Sequence, residues 1–167
     1  MATPEPLFET RVRWTGSYAP GPLNARSYTR DMSVEPEGKP PILGSASSRY
    51  LGEDSRYNPE DLMLASLAEC HLLTYLALAA KAGIPLASLV VSARGAIGKV
   101  EGKMRFRWAT VSPNTVVREA ADLGRARSLH AQAHEECFMS NSVNFPITVE
   151  ATLSVAASTT PAAPATL

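Results

Sequence analysis

Both cysteines and all three histidines of this 167-residue chain fall in two segments. Cys70 and His71 lie in "YNPEDLMLASLAECHLLTYLALAAKAGI" (57–84). His130, His134 and Cys137 close "SPNTVVREAADLGRARSLHAQAHEEC" (112–137). Both segments read as helices, and in the second the i, i+4, i+7 spacing puts all three residues on one stripe. Two chemistries are open. One is a metal site, with the stripe joined by Cys70 or His71, which would suit a metal-dependent hydrolase. The other is a redox pair, Cys70 with Cys137, brought together where the helices pack. The plain alternative is packing: cysteine is a small core hydrophobe, and histidines on a wet face of a last turn suit the helix C-terminal dipole. The stripe lacks the close paired-ligand spacing of common zinc motifs, so helix-end histidines are the preferred reading and no metal or cofactor is expected.

The elements that must position these residues follow from periodicity. "ETRVRWTGSY" (9–18) alternates and reads as a strand; "RSYTRDMSV" (26–34) reads as a second, and 35–41 as a loop. The polar stretch 45–57 leads into a helix over 58–84. Asn58 is its N-cap, Pro59 its first residue, and Glu60 sits in the first turn where the dipole favours a carboxylate. Gly83 and Pro85 stop it. This helix is apolar almost all round, so it needs cover on more than one side.

Segments 88–99 and 103–112 read as a hairpin about Glu101-Gly102, with Met104, Phe106 and Trp108 on one face. A second long helix is expected over about 114–137, weakened at Gly124, with Val117, Ala121, Gly124, Ser128 and Ala131 toward the core. "FPITVEATLSV" (145–155) alternates as a final strand. Residues 1–8 and 157–167 have little to bury and are expected to be disordered tails around one domain, 9–156. The order of strands, helix, hairpin, helix and strand argues α+β, with antiparallel sheets packed on two long helices.

Composition narrows the partners. The 16 Lys+Arg balance 16 Asp+Glu, and no basic stripe stands out, so nucleic acid is not expected. "MATPEPLFET" has neither the basic start nor the apolar run of a signal peptide. Ser66, Glu69, His71 and Thr74 interrupt the apolar helix, which argues against a membrane span. Two cysteines make no disulfide scaffold, and a cytoplasmic home is the default.

Three motifs together resemble the OsmC/Ohr family of osmotically induced protein C and organic hydroperoxide resistance proteins. "NPEDLMLASLAEC" is similar to the family segment that runs from Asn-Pro-Glu to the reactive cysteine. "HEECFMSNSVNFPITVEATLSV" is similar to its second cysteine, followed by Ser-Asn and a final strand. "SRYLGEDSRYNPE" resembles the Arg-aromatic-x-Gly stretch of the OsmC branch. The resemblance covers about residues 10–156. His71 departs from it, standing where an apolar or aromatic residue is common, and so does Phe138, where many members have proline.

The resemblance implies an OsmC/Ohr-like fold in an intertwined homodimer with reactive sites at the subunit interface. It implies thiol-dependent reduction of organic hydroperoxides, with a dithiol such as a lipoylated protein as reductant. Cys70 would be the peroxidatic thiolate and Cys137 the resolving thiol. Arg49 and Glu60 would be the polar pair that activates Cys70, with Arg56 and Arg26 as alternative arginines; Leu67, Leu73 and Phe138 are candidates for an apolar lining. A non-catalytic member binding an apolar ligand at the interface is the rival reading. Glu60 and Cys70, ten residues apart, rise about 15 Å along one helix and lie roughly 80° out of phase. They meet only across a dimer or through a broken helix.

Overall fold

A computed structural model of the chain describes residues 5–157. Of the tails expected at 1–8 and 157–167, residues 1–4 and 158–167 lie outside the described residues. The chain divides into two compact units, Met1–Met63 and Leu64–Leu167.

The first unit is a three-stranded antiparallel sheet: β1 (Thr10–Trp14), β2 (Met32–Pro36) and β3 (Ile42–Gly44), in that order. The two strands expected over 9–18 and 26–34 are present but shorter or shifted, and β3 was unforeseen. With only three residues, β3 gives too short a run for alternation to register. The long β1–β2 connection is held by its own backbone. Trp14 Nε1–H donates to Thr29 O at 2.8 Å, and the Arg30 guanidinium donates to the carbonyls of Ala25, Tyr28 and Leu51 at 2.8, 3.3 and 3.2 Å. After β3, a short 3-10 helix spans Ser48–Tyr50.

α1 (Pro59–Lys81) begins where expected. Asn58 Oδ1 accepts the Asp61 N–H at 2.9 Å while Asp61 Oδ2 accepts the Asn58 N–H at 3.2 Å, a reciprocal cap.

The second unit is built on a hairpin of two 15-residue strands, β4 (Leu86–Val100) and β5 (Lys103–Val117). The turn is Glu101-Gly102, both with positive φ (51° and 80°), as a two-residue turn requires. β5 runs five residues further than the hairpin expected. Residues 114–117, expected to begin the second helix, are strand. Ser112-Pro113-Asn114 imitates a helix start, but Thr115, Val116 and Val117 are β-branched and pair with β4 on one side and β7 on the other. A register shift between Ala96 and Ile97 leaves Arg107 without a partner in β4. Beyond it the inward set is Ala109, Val111, Pro113, Thr115 and Val117. Of the face expected from Met104, Phe106 and Trp108, only Phe106 is packed, stacked on Phe145.

The final segment is two strands, β6 (Ile147–Val149) and β7 (Thr152–Val155), and both run parallel to β5. The sheet is therefore mixed, not antiparallel throughout. α2 (Leu123–Glu136) follows a 3-10 turn at Ala120–Asp122, and α3 (Phe138–Asn141) is a single turn. Leu67 of α1 packs on Ala109 and Val111. Tyr75, Leu78 and Ala79 pack with Val117, Ala126 and Ala133. The stripe that α2 buries is Ala126, His130 and Ala133; the expected Ala121, Gly124, Ser128 and Ala131 are exposed. A mostly polar helix gives its phase away only through small residues, and the histidine at its centre was assigned to water.

Candidate functional site

Arg49 belongs to the first unit. It sits in the 3-10 turn of a loop closed on itself: the carbonyl of Ser47 accepts from Tyr50 and Gly52 N–H at 2.9 and 3.0 Å, and Asp54 Oδ1 accepts from Ser48 N–H at 2.7 Å. Gly52 is obligatory, since a Cβ there would lie 1.8 Å from the Ala46 carbonyl oxygen. The loop thus holds Arg49 on the surface without spending its guanidinium, which makes no ion pair among the described residues. Arg56 by contrast pairs with Asp31 at 3.5 Å. Glu60, half-buried in the first turn of α1, is also uncommitted, because the cap uses Asp61.

The cysteines belong to the second unit, on the seam where α1 meets α2. Tyr75 Oη–H donates to Ala126 O at 3.1 Å. His71 Nε2 lies 3.1 Å from His130 Nδ1. Cys70 is near enough to Cys137 to act on its ionisation. As numbers fall along α1 they rise along α2, so the helices run antiparallel; Tyr75–Ala126 and His71–His130 are rungs one turn apart on both helices, and the thiol pair lies beyond them, where α2 ends. Cys70 is half-buried and Cys137 fully buried, both as free thiols. Burial, first of all, pushes the Cys137 thiol above its ordinary range. The Ser140 hydroxyl and N–H oppose the rise, and the neighbouring Cys70 adds to it. The Ser140 contact does not have the geometry of a regular helix cap.

The second rung corrects the reading of His130 as a wet-face residue. His71 and His130 are 1% and 2% exposed. Their rings are nearly parallel with centroids 5.4 Å apart, and Tyr75 stacks on His130 at 3.9 Å. Thr115 Oγ1 lies 3.0 Å from His130 Nε2. Burial holds both rings down at about 4, with His134 adding to the effect on His71, and His71 and Arg127 on His130. At neutral pH both are neutral, so the helix dipole does not account for His130. The Nδ1 atoms of His71 and His134 are buried without a hydrogen-bonding partner.

The geometry therefore brings Cys70 and Cys137 together and adds His71, His130, Thr115 and Ser140, which the sequence reading did not assign. One signal was available: Leu67, His71, Tyr75 and Leu78 recur at helical spacing, which puts His71 on the buried stripe of α1. Among the described residues no group of three or more His, Cys, Asp or Glu side chains could hold a metal ion, so the stripe reading as a metal site is not supported. Of the expected apolar lining, Leu67 is core beneath α1, whereas Leu73 and Phe138 are 57% and 77% exposed.

A family model described as OsmC-like protein matches residues 52–152, which span both cysteine segments. An OsmC-like protein of unknown function from Vibrio cholerae is 28% identical, with a TM-score of 0.81 over 89% of this chain and all of its own. An organic hydroperoxide resistance protein from Elizabethkingia anophelis shares the fold at 21% identity, with a TM-score of 0.68 over 93% of this chain and 100% of that one. The organic hydroperoxide resistance protein OhrB of Bacillus subtilis shares it at 19% identity, with a TM-score of 0.62 over 87% and 98%. No curated protein sequence matches the chain. The element order, the two cysteine segments and the family match over more than half of the sequence agree: the chain belongs to the OsmC-like family.

Proposed function

We propose that the protein reduces organic hydroperoxides, with Cys70 as attacking thiolate and Cys137 as resolving thiol. The observation that carries this reading is their pairing: a half-buried thiol neighbouring a fully buried one. The Cys70 sulfur attacks the terminal peroxide oxygen and the O–O bond breaks. Cys70 becomes a sulfenic acid, and the alkoxide takes a proton to leave as alcohol. Cys137 then attacks the sulfenic sulfur; the S–O bond breaks, water leaves and a disulfide forms. A dithiol, such as a lipoyl group, reduces it by exchange.

Arg49 is the activating arginine in this reading. A guanidinium beside the thiolate favours ionisation, and a carboxylate holds it bidentately. Arg56 is already paired with Asp31, which argues against it. α1 is unbroken from Pro59 to Lys81, so Glu60 stands about 15 Å along the axis from the Cys70 of its own helix. Each Cys70 is therefore served by the Arg49 and Glu60 of a partner subunit. The apolar surface of α1 supports such a dimer: Leu73 and Leu76 are 57% and 41% exposed on one chain. α1 has the length and composition of a membrane span, but its buried stripe, Leu67, His71, Tyr75 and Leu78, packs inside the domain, and we assign the protein to the cytoplasm.

The test is turnover of tert-butyl hydroperoxide with dithiothreitol, wild type against Cys70→Ser. Loss of turnover in the variant supports the reading; wild type no faster than the variant ends it.

A further inference from the structure

The histidine rung lies next to the thiol rung, and the peroxidase chemistry leaves it without a task. The Tyr75 hydroxyl donates to the Ala126 carbonyl. Thr115 Oγ1 lies 3.0 Å from His130 Nε2, and His130 Nδ1 lies 3.1 Å from His71 Nε2. A neutral imidazole carries one N–H, so one His130 nitrogen donates and the other accepts, and the line Thr115–His130–His71 fastens α1 to both α2 and β5.

We propose that the His71–His130 hydrogen bond is a positioning pin that holds Cys137 opposite Cys70, and that acid releases it. Apolar packing alone lets two helices slide; a directional bond between one donor and one bare acceptor does not. Disulfide closure needs Cα atoms roughly 4.4–6.8 Å apart, and one helical turn of slip, about 5.4 Å, exceeds that tolerance. His71 follows Cys70 directly, and His130 lies two turns before Cys137 on the α2 stripe, so the pin sets the register of the thiols.

A proton has no good place on this rung. Added between His130 Nδ1 and His71 Nε2, it sets two N–H groups face to face. On His71 Nδ1 it is buried without an acceptor. The groups that bear on the pair are Tyr75 from α1, Arg127 and His134 from α2, and Thr115 from β5, with no carboxylate among them. Relief comes only by moving a ring to water, which parts the seam. Burial already holds both rings down at about 4, the direction this requires. A dithiol tolerates an open seam and a disulfide does not, so acid disfavours the disulfide. By reciprocity, the disulfide lowers the proton affinity of the pair by the same factor.

This inference rests on the reading that Cys70 and Cys137 form a disulfide, and its test uses no hydroperoxide. The full chain is equilibrated with reduced and oxidised glutathione between pH 4 and 7, from both directions, and the disulfide fraction is read by alkylation and mass. With both thiols protonated the exchange is proton-neutral; where Cys70 ionises, its titration raises the constant toward acid in wild type and variants alike, and flatness is judged after that shared trend is subtracted. In wild type the constant should fall about two- to fourfold from pH 7 to 4, as far as one or both rings titrating at about 4 allow. The double variant His71→Gln/His130→Gln keeps a donor–acceptor chain without titrating rings; it should keep the pH 7 value within about twofold and lose the acid fall. His71→Leu/His130→Leu should be weaker at pH 7 and flat. A flat wild type, an acid fall kept in the glutamine pair, or a leucine pair as tight as wild type overturns the pin. Should a variant not fold, wild type decides by NMR: the histidine midpoints should lie lower in the disulfide form than in the dithiol form, and equal midpoints overturn the proposal. A chain that passes and leaves hydroperoxide untouched overturns the peroxidase reading alone. One that turns over hydroperoxide with a flat constant overturns only the pin.

Discussion

The two polar rungs of the α1–α2 seam are neighbours of opposite construction. The thiol rung is half open: Cys70 is partly accessible and Cys137 has little polar company beyond Ser140. The histidine rung is sealed, stacked under Tyr75, and bonded onward to β5. Reactive groups need access and a partner that arrives during the reaction, so they tolerate loose surroundings. Positioning groups need the reverse, because an unmet polar atom in the interior costs about 1–3 kcal/mol. The seam shows that one helix pair meets both demands by alternating them along its length.

The sharpest way to break the comparison is at the open rung. Cys70→Ser should remove all hydroperoxide turnover, while Cys137→Ser should complete one round and hold Cys70 as sulfenic acid, read as a gain of one oxygen by mass spectrometry. Normal steady turnover in Cys137→Ser with a dithiol would take the resolving role away. At the sealed rung, Tyr75→Ala should destabilise the fold by about 3–5 kcal/mol in urea unfolding, because it leaves a cavity, removes the stacking on His130 and frees the Ala126 carbonyl. A cost below about 1 kcal/mol would mean that the rung is not core.

Acid separates the rungs next. The folded histidines bind protons at about 4 against 6.5 unfolded, so the unfolded chain holds more protons between those values. Stability present above pH 6.5 is lost as pH falls toward 4, on the order of 3 kcal/mol for the first ring. Melting of the Cys70→Ser variant from pH 7 to 4 checks this without thiol chemistry; a pH-independent midpoint would contradict it. Arg49→Ala should slow Cys70 oxidation about tenfold at neutral pH and leave stability within about 0.5 kcal/mol, since Arg49 is exposed and unpaired. If Arg56→Ala shows the larger loss, the role belongs to Arg56. Smallest of all, Phe138→Ala should change stability by less than about 0.5 kcal/mol, as its side chain is mostly in water.

Much of this arrangement is legible from residue order. The Asn58-Pro59 start and the Glu101-Gly102 turn rest on local chemistry that survives folding, whereas the residues alone left the pairing of the two cysteine segments open and only the family resemblance favoured it. What escaped notice depends on the far side of a contact. Pro113 and Asn114 look like a helix start until β7 is known to lie beside β5. His130 looks wet until Tyr75 and Thr115 close over it. Strand direction was also hidden: alternation over 145–155 is the same whether the neighbour runs with it or against it.

The mixed sheet has a consequence for how the protein is made. β5 pairs with β4 at once through a two-residue turn, but its other edge waits for β6 and β7, which emerge some thirty residues later. During synthesis, then, a 15-residue strand rich in valine and threonine stands with one side open. An edge of that kind invites pairing with another nascent chain. Bulky, charged Arg105 and Arg107 guard its first half, whereas 109–117 carries no charge at all. A ribosome stall or a truncation at Pro146 should therefore give aggregates nucleated in 109–117, and the short strands at the end of the domain act as its internal chaperone.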